Sequence, residues 1–168
     1  MPCIHAALRE QSGSLLVFLP GAGEIHRVAE RLSGNLPADV VLAPLYGNLK
    51  SGEQDSAIQP APPGQRKIVL ATAIAETSLT IEGVRVVIDS GQQRRAVFNP
   101  NSGMSRLVTT RVSKASAEQR KGRAGRIEPG VCYRLWSESE QAALAEFTPP
   151  EILDADLASL VLELAQWG

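Results

Sequence analysis

The residues best suited to chemistry crowd into eleven positions, Ser116-Ala117-Glu118-Gln119-Arg120-Lys121-Gly122-Arg123-Ala124-Gly125-Arg126. Arginine offers a rigid fork of donors that matches an oxyanion, so Arg123 and Arg126 beside the Gln119 amide would suit a phosphate. Taken as a helix of about 100° per residue, Arg123 falls about 40° from Gln119, Arg126 about 20° on the other side, and Arg120 about 100° away. The expectation is one helical face carrying Gln119, Arg123 and Arg126, flanked by Arg120. Gly122 and Gly125 each cost a helix about 1 kcal/mol against Ala. Close approach of another backbone or a ligand must therefore favour them. On charge count alone the better reading is a solvated basic face, and the glycine spacing tips the balance.

The elements that must position this stretch come next. The chain has 168 residues, net charge −1 and 43% hydrophobic residues, which suits one folded domain with a substantial core. Ser14–Leu19, Val40–Leu45, Lys67–Thr72 and Val84–Asp89 are apolar runs of strand length, as buried parallel strands require. Ile25, Val28, Ala29 and Leu32 mark an amphipathic helix over 24–32, and Ser51 is expected to cap a short helix reaching Ile58. Gln92–Phe98 and Arg106–Val112 read as hairpin arms around Asn99–Gly103. A strand follows over Val131–Trp136. Ile152, Leu153, Leu157, Leu160, Val161 and Leu164 describe a last amphipathic helix. The alternation predicts an α/β domain with a mainly parallel sheet. Ligands then belong at the carboxyl ends of the strands, the edge expected to gather Pro20-Gly21, Gly47-Asn48, Thr72-Ala73 and the start of the Arg-rich helix.

From Gln92 to Arg126 nine basic residues meet one acid, Glu118, a local positive stripe that favours polyanions. Gly21-Ala22-Gly23 is not a dinucleotide fingerprint, because His26 stands where the third glycine belongs. No G-x-x-x-x-G-K-[ST] occurs, so any anion met by the arginines must be presented by something else. His5 and His26 are isolated, and Tyr46, Tyr133, Trp136 and Trp167 read as packing residues. Cys3 and Cys132 lack metal-ligand spacing, which makes a reducing compartment the default.

Four segments together carry a resemblance. Gln119 to Arg126 fits the Q-R-x-G-R-x-G-R pattern of superfamily 2 helicases. Thr72-Ala73-Ile74-Ala75-Glu76-Thr77-Ser78-Leu79-Thr80-Ile81 resembles T-N-I-A-E-T-S-L-T-I of the DEAH-box group. Pro44-Leu45-Tyr46-Gly47-Asn48-Leu49 is similar to P-L-Y-G-x-L, and Phe18-Leu19-Pro20-Gly21 to F-L-x-G. Pro150 onward resembles the start of a winged-helix domain, and the closing L-E-L-x-Q-W-G is most like the bacterial HrpB-type subgroup.

The resemblance implies the second RecA-like domain of an ATP-dependent RNA helicase: a three-layer sandwich on a mainly parallel sheet, plus a protruding hairpin. It implies that Gln119, Arg123 and Arg126 face the γ-phosphate of ATP as catalytic residues, the arginines as fingers. Glu82 stands where the family has a ribose-contacting Asp, and Ile58 where it has an adenine-stacking aromatic. Ser78 joins this nucleotide set. Gly21, Gly47, Asn48, Thr72, Ala73, Thr80, Arg94 and Arg95 would face RNA, with Ser78 and Thr80 between the two sides and Arg94 and Arg95 on the hairpin. Ala73 replaces the family's Asn and would lose one side-chain contact.

ATP with Mg2+ would be held mainly by a first RecA domain. Residues 1–13 read as a lead-in from that domain, 14–147 as the second RecA-like domain, and 148–168 as the start of the winged-helix region. The expected partners are single-stranded RNA and the other domains of the same parent chain, in a bacterial cytoplasm, with no metal ligand in this chain. A non-enzymatic nucleic-acid-binding module and a DNA helicase remain the alternatives.

Overall fold

The computed structural model describes residues 2–77, 79–125 and 128–167. In chain order the elements are α1 (Pro2–Glu10), β1 (Ser14–Phe18), α2 (Ala22–Ser33), β2 (Val40–Leu45), α3 (Ser51–Ile58), β3 (Arg66–Ala71), α4 (Ile74–Thr77), β4 (Val84–Asp89), β5 (Gln92–Asn99), β6 (Met104–Arg111), α5 (Lys114–Lys121), β7 (Val131–Arg134), α6 (Glu138–Ala143) and α7 (Ala158–Trp167), with a 3-10 turn at Glu151–Leu153. Five strands form one parallel sheet in the order β2-β3-β1-β4-β7, and β5 and β6 pair only with each other. Every parallel pairing needs a crossover, which the helices supply.

The strands are apolar on both faces because both faces are covered. Leu16, Phe18, Val69, Ala71 and Val87 point to one side, where Ala57 of α3 and Ala75 of α4 pack. Leu15, Val17, Ile68, Leu70, Val86 and Ile88 point to the other, against Ile4 and Ala7 of α1 and Ile25 and Leu32 of α2. The period of two along each strand thus feeds two cores, giving three layers. The lead-in expected before β1 contains α1, whose buried Ile4 and Ala7 lie on one helical face. Lys50, not Ser51, occupies the N-cap of α3, with Glu53 closing a capping box.

The registers bring strand ends level. Phe18 pairs with Ala71 and Asp89, and Leu45 pairs with Ala71. The turns after β1, β2, β3 and β4 therefore share one carboxyl edge. β2 is the outermost strand on its side and carries Pro44. Beyond β7, α6 is capped by Ser137, with Glu140 completing a capping box. In α7 no residue is buried.

Candidate nucleotide and nucleic-acid interfaces

The carboxyl edge assembles most of the residues expected to meet nucleic acid. Gly21 follows β1 as the N-cap of α2, in extended conformation with no side-chain cap. The first amides of α2 consequently open toward this edge, as helix N-termini that bind phosphate do. Gly47 and Asn48 follow β2 and are exposed. Thr72 and Ala73 follow β3, and the Thr72 amide donates to Leu45 O at 3.1 Å, tying the two turns together.

The hairpin adds Arg94 to this edge. A Cβ on Gly21 would lie 2.8 Å from Arg94 Nη1, so the guanidinium occupies the space that the glycine leaves. Arg94 Nη2 also sits 3.3 Å from Glu24. No spacing rule in the sequence joins positions 21 and 94. Arg95 points the other way: it bonds Asp154 Oδ2 at 2.6 Å and Pro149 O at 3.0 Å, and so anchors the segment after α6 rather than facing the edge.

The Arg-rich stretch departs from the expected single helix. α5 starts at the carboxyl edge, where the Val112 amide donates to Gly91 O, and stops at Lys121 with Gly122 as C-cap. The chain then turns, and Gly125 N–H reaches Val84 O at the start of β4. Gly125 adopts φ +65°, and a Cβ there would come within 2.2 Å of Gly130 N. Its glycine is demanded by a neighbouring backbone. The 100° step thus does not extend to Arg123, which lies in the turn, while Gln119 is exposed on α5. Arg126 and Ser78 lie outside the described residues.

Arg120 is wholly buried. Its Nε donates to Glu76 Oε1 at 2.7 Å, its Nη1 to Asp89 Oδ1 at 2.8 Å and to Gln92 O at 3.1 Å, and its guanidinium carbon lies 4.8 Å from the Phe18 ring centre. Ser116 Oγ donates to the other Glu76 oxygen at 2.8 Å. A charge this deep is tolerable only when paired and hydrogen-bonded. Sequence reasoning set Arg120 beside the working face and missed the knot. The available signal was Asp89, an acid directly after the apolar run Val86–Ile88.

Arg123 lies toward the opposite edge of the sheet. Its Nε and Nη2 donate to Glu76 O and its Nη1 to Leu79 O at 2.9 Å, which fixes the guanidinium against the end of α4. It lines a concavity of about 720 Å3 with Thr80, Glu82, Gly83, Arg85 and Glu128. Gly13 precedes β1 and Gly83 precedes β4, and both line it, so this is the amino edge. Arg123, Glu82 and Thr80 thus gather at one edge and Gly21, Gly47 and Thr72 at the other, where the start of α5 also lies as expected. The parallel sheet explains this, because α5 must run back across it. Ile58 and Gln119 do not line the concavity.

The basic stripe is largely neutralised. Arg94 meets Glu24, Arg95 meets Asp154, Arg111 meets Glu140, Lys114 meets Glu146, Lys121 meets Glu118, and Arg120 meets Glu76 and Asp89. Apart from Glu118, the acids come from other elements, which a count along one segment cannot see. The hydrogen bond from Arg134 holds the Glu118 carboxyl below its usual range. Burial pushes the Cys132 thiol up to about 11, so it stays protonated and is a poor nucleophile. Among the described residues no three His, Cys, Asp or Glu side chains gather as metal ligands, and no helix is long and apolar enough to cross a membrane.

Comparison with known proteins agrees with this geometry. The model of the helicase conserved C-terminal domain matches residues 2–128. The chain is 56% identical over 161 residues to the ATP-dependent RNA helicase HrpB of Escherichia coli (strain K12), covering 96% of this chain and 20% of that protein. It is 48% identical over 163 residues to the human probable ATP-dependent RNA helicase DHX34, covering 95% of this chain and 14% of that one. The crystal structure of the Escherichia coli DEAH/RHA helicase HrpB superposes with a TM-score of 0.94 at 54% identity, over 99% of this chain and 21% of that one. The chain thus spans about a fifth of the length of the bacterial relative. With a five-stranded parallel sheet, a separate hairpin and a match over most of its length, the chain belongs to the helicase conserved C-terminal domain family.

Proposed function

We propose that this chain is the second motor lobe of a DEAH-box ATP-dependent RNA helicase, gripping an RNA backbone at one edge of its sheet and a nucleotide at the other. The observation that carries the reading is the separation of the two residue sets: Gly21, Gly47 and Thr72 at the carboxyl edge, Arg123 and Glu82 at the amino edge. At the carboxyl edge, backbone amides and the Thr72 hydroxyl would hold successive phosphates, which gives grip without sequence choice. Arg94 brings positive charge over Gly21.

ATP is the substrate. The donor chemistry fits it in part: Arg123 offers a fixed guanidinium to phosphate and Glu82 a carboxylate to ribose, both lining a concavity of sufficient size. In this reading Arg123 and Arg126 stabilise charge on the transferring phosphoryl group, as arginine fingers do. Gln119 and Ile58 would join only through a partner that reaches past the concavity. The described residues do not fit Mg2+, so the ion would arrive with ATP on a P-loop-bearing lobe. Free Cys3 and Cys132 agree with a cytoplasmic setting.

The test is complementation. The chain alone is expected to hydrolyse no ATP, because it has no P-loop. Addition of a P-loop-bearing first lobe in trans should produce ATP turnover that single-stranded RNA stimulates. Turnover by the chain alone, or no RNA stimulation with both lobes present, would overturn the reading.

A further inference from the structure

We propose that the cavity at the root of the β5–β6 hairpin is a pocket for one unstacked nucleobase of a single strand. This rests on the reading of the chain as a lobe that engages RNA.

The register pairs Gln93 with Thr110 and Arg95 with Val108. Side chains alternate between faces, so Gln93, Arg95, Val108 and Thr110 share one face, and Arg94 takes the other, over Gly21. The first face closes a cavity of about 260 Å3 against Leu144, Phe147, Thr148 and Pro149.

A face turned inward should be apolar, and this one is not. Gln93 is only 8% exposed, and its amide has no hydrogen-bond partner among the described residues. Thr110 Oγ1 is buried without a partner. A buried hydroxyl left unpaired beside a Gln amide that bonds no described residue calls for an explanation, and a ligand that completes both is one.

The charges around the cavity select the ligand. Arg95 is held by Asp154, and Arg111 by Glu140 at 2.5 Å. An anion would meet neutralised pairs and two carboxylates. An uncharged group with both donors and acceptors fits better. A Gln amide reads the edge of a base with paired hydrogen bonds, and a Thr hydroxyl can give or accept one more. Phe147, 75% exposed, stands at the rim as a stacking surface. The volume falls below the roughly 300 Å3 at which ligand pockets for whole small molecules begin. It suits a planar ring whose sugar and phosphate remain outside.

Free nucleosides test the pocket without the phosphates that the carboxyl edge would bind. Adenosine, guanosine, cytidine and uridine are titrated into isotope-labelled chain, with the Gln93 side-chain amide followed by NMR. At least one nucleoside should shift that signal. Thr110→Val and the surface variant Phe147→Ala should each weaken the binding about tenfold. Wild type should also bind a single-stranded RNA about tenfold more tightly than an abasic strand of equal length, and Phe147→Ala should erase that preference while leaving abasic affinity unchanged. No shift at Gln93 with any nucleoside at millimolar concentration, or equal affinity for the two strands, would overturn the pocket. Failure of both strands to bind would instead overturn the RNA reading, with the nucleoside titration still deciding the pocket.

Discussion

Arg120 keeps its charge inside the domain, between Glu76 and Asp89 and against the Phe18 ring. Its removal would leave two carboxylates facing each other without a cation. Loss of one partner of a buried ion pair costs about 3–5 kcal/mol. Arg120→Ala should therefore destabilise the chain by that order in urea unfolding, while Lys121→Ala, on an exposed pair, should cost under about 1 kcal/mol. Equal effects would show that the buried knot adds nothing. The contrast also says what a motif can hide: neighbouring basic residues in one sequence pattern serve different ends. Arg120 holds the fold, and Arg123, two carbonyls at the end of α4.

Elements explain why part of the pattern was misread. The four strands of the core were legible because burial on both faces demands runs rich in apolar residues, and β2 and β4 have the bounds the sequence suggested. α5 is shorter than the pattern suggests, because the two glycines that disfavour a helix end it: Gly122 caps it and Gly125 turns against Gly130. Gly125→Ala should cost about 1–3 kcal/mol, from a left-handed φ and a backbone clash. Gly122→Ala, with φ −63° and its nearest atoms 3.4 Å away, should change stability by less than about 1 kcal/mol. Thermal unfolding of the two variants separates the roles, and a neutral Gly125→Ala would remove the close-packing argument. α1 escaped notice because it is short and buries only Ile4 and Ala7, and α6 because it is shorter still and buries none of its residues.

Across the whole molecule, the carboxyl edge was legible from the parallel sheet alone, and Gly21, Gly47 and Thr72 meet there. The amino-edge concavity was not, because a rule about strand ends says nothing of a helix that carries its arginine back across the sheet. Two separated edges make separable defects. In a two-lobed parent, Arg123→Ala should lower kcat by about 10³-fold with RNA affinity little changed. Thr72→Val should weaken RNA binding several-fold, about 1 kcal/mol for one hydrogen bond, with saturated turnover retained. Steady-state ATPase assays across RNA concentrations distinguish them, and identical profiles for both variants would merge the edges into one site.

The outer strand β2 carries a consequence for the molecule in solution. A parallel sheet that ends in an exposed strand offers its backbone to any passing chain, and such borders seed runaway association. Pro44 sits on that border, where a residue without an amide hydrogen is best tolerated. The imino ring takes one rung from the ladder that a stranger would climb.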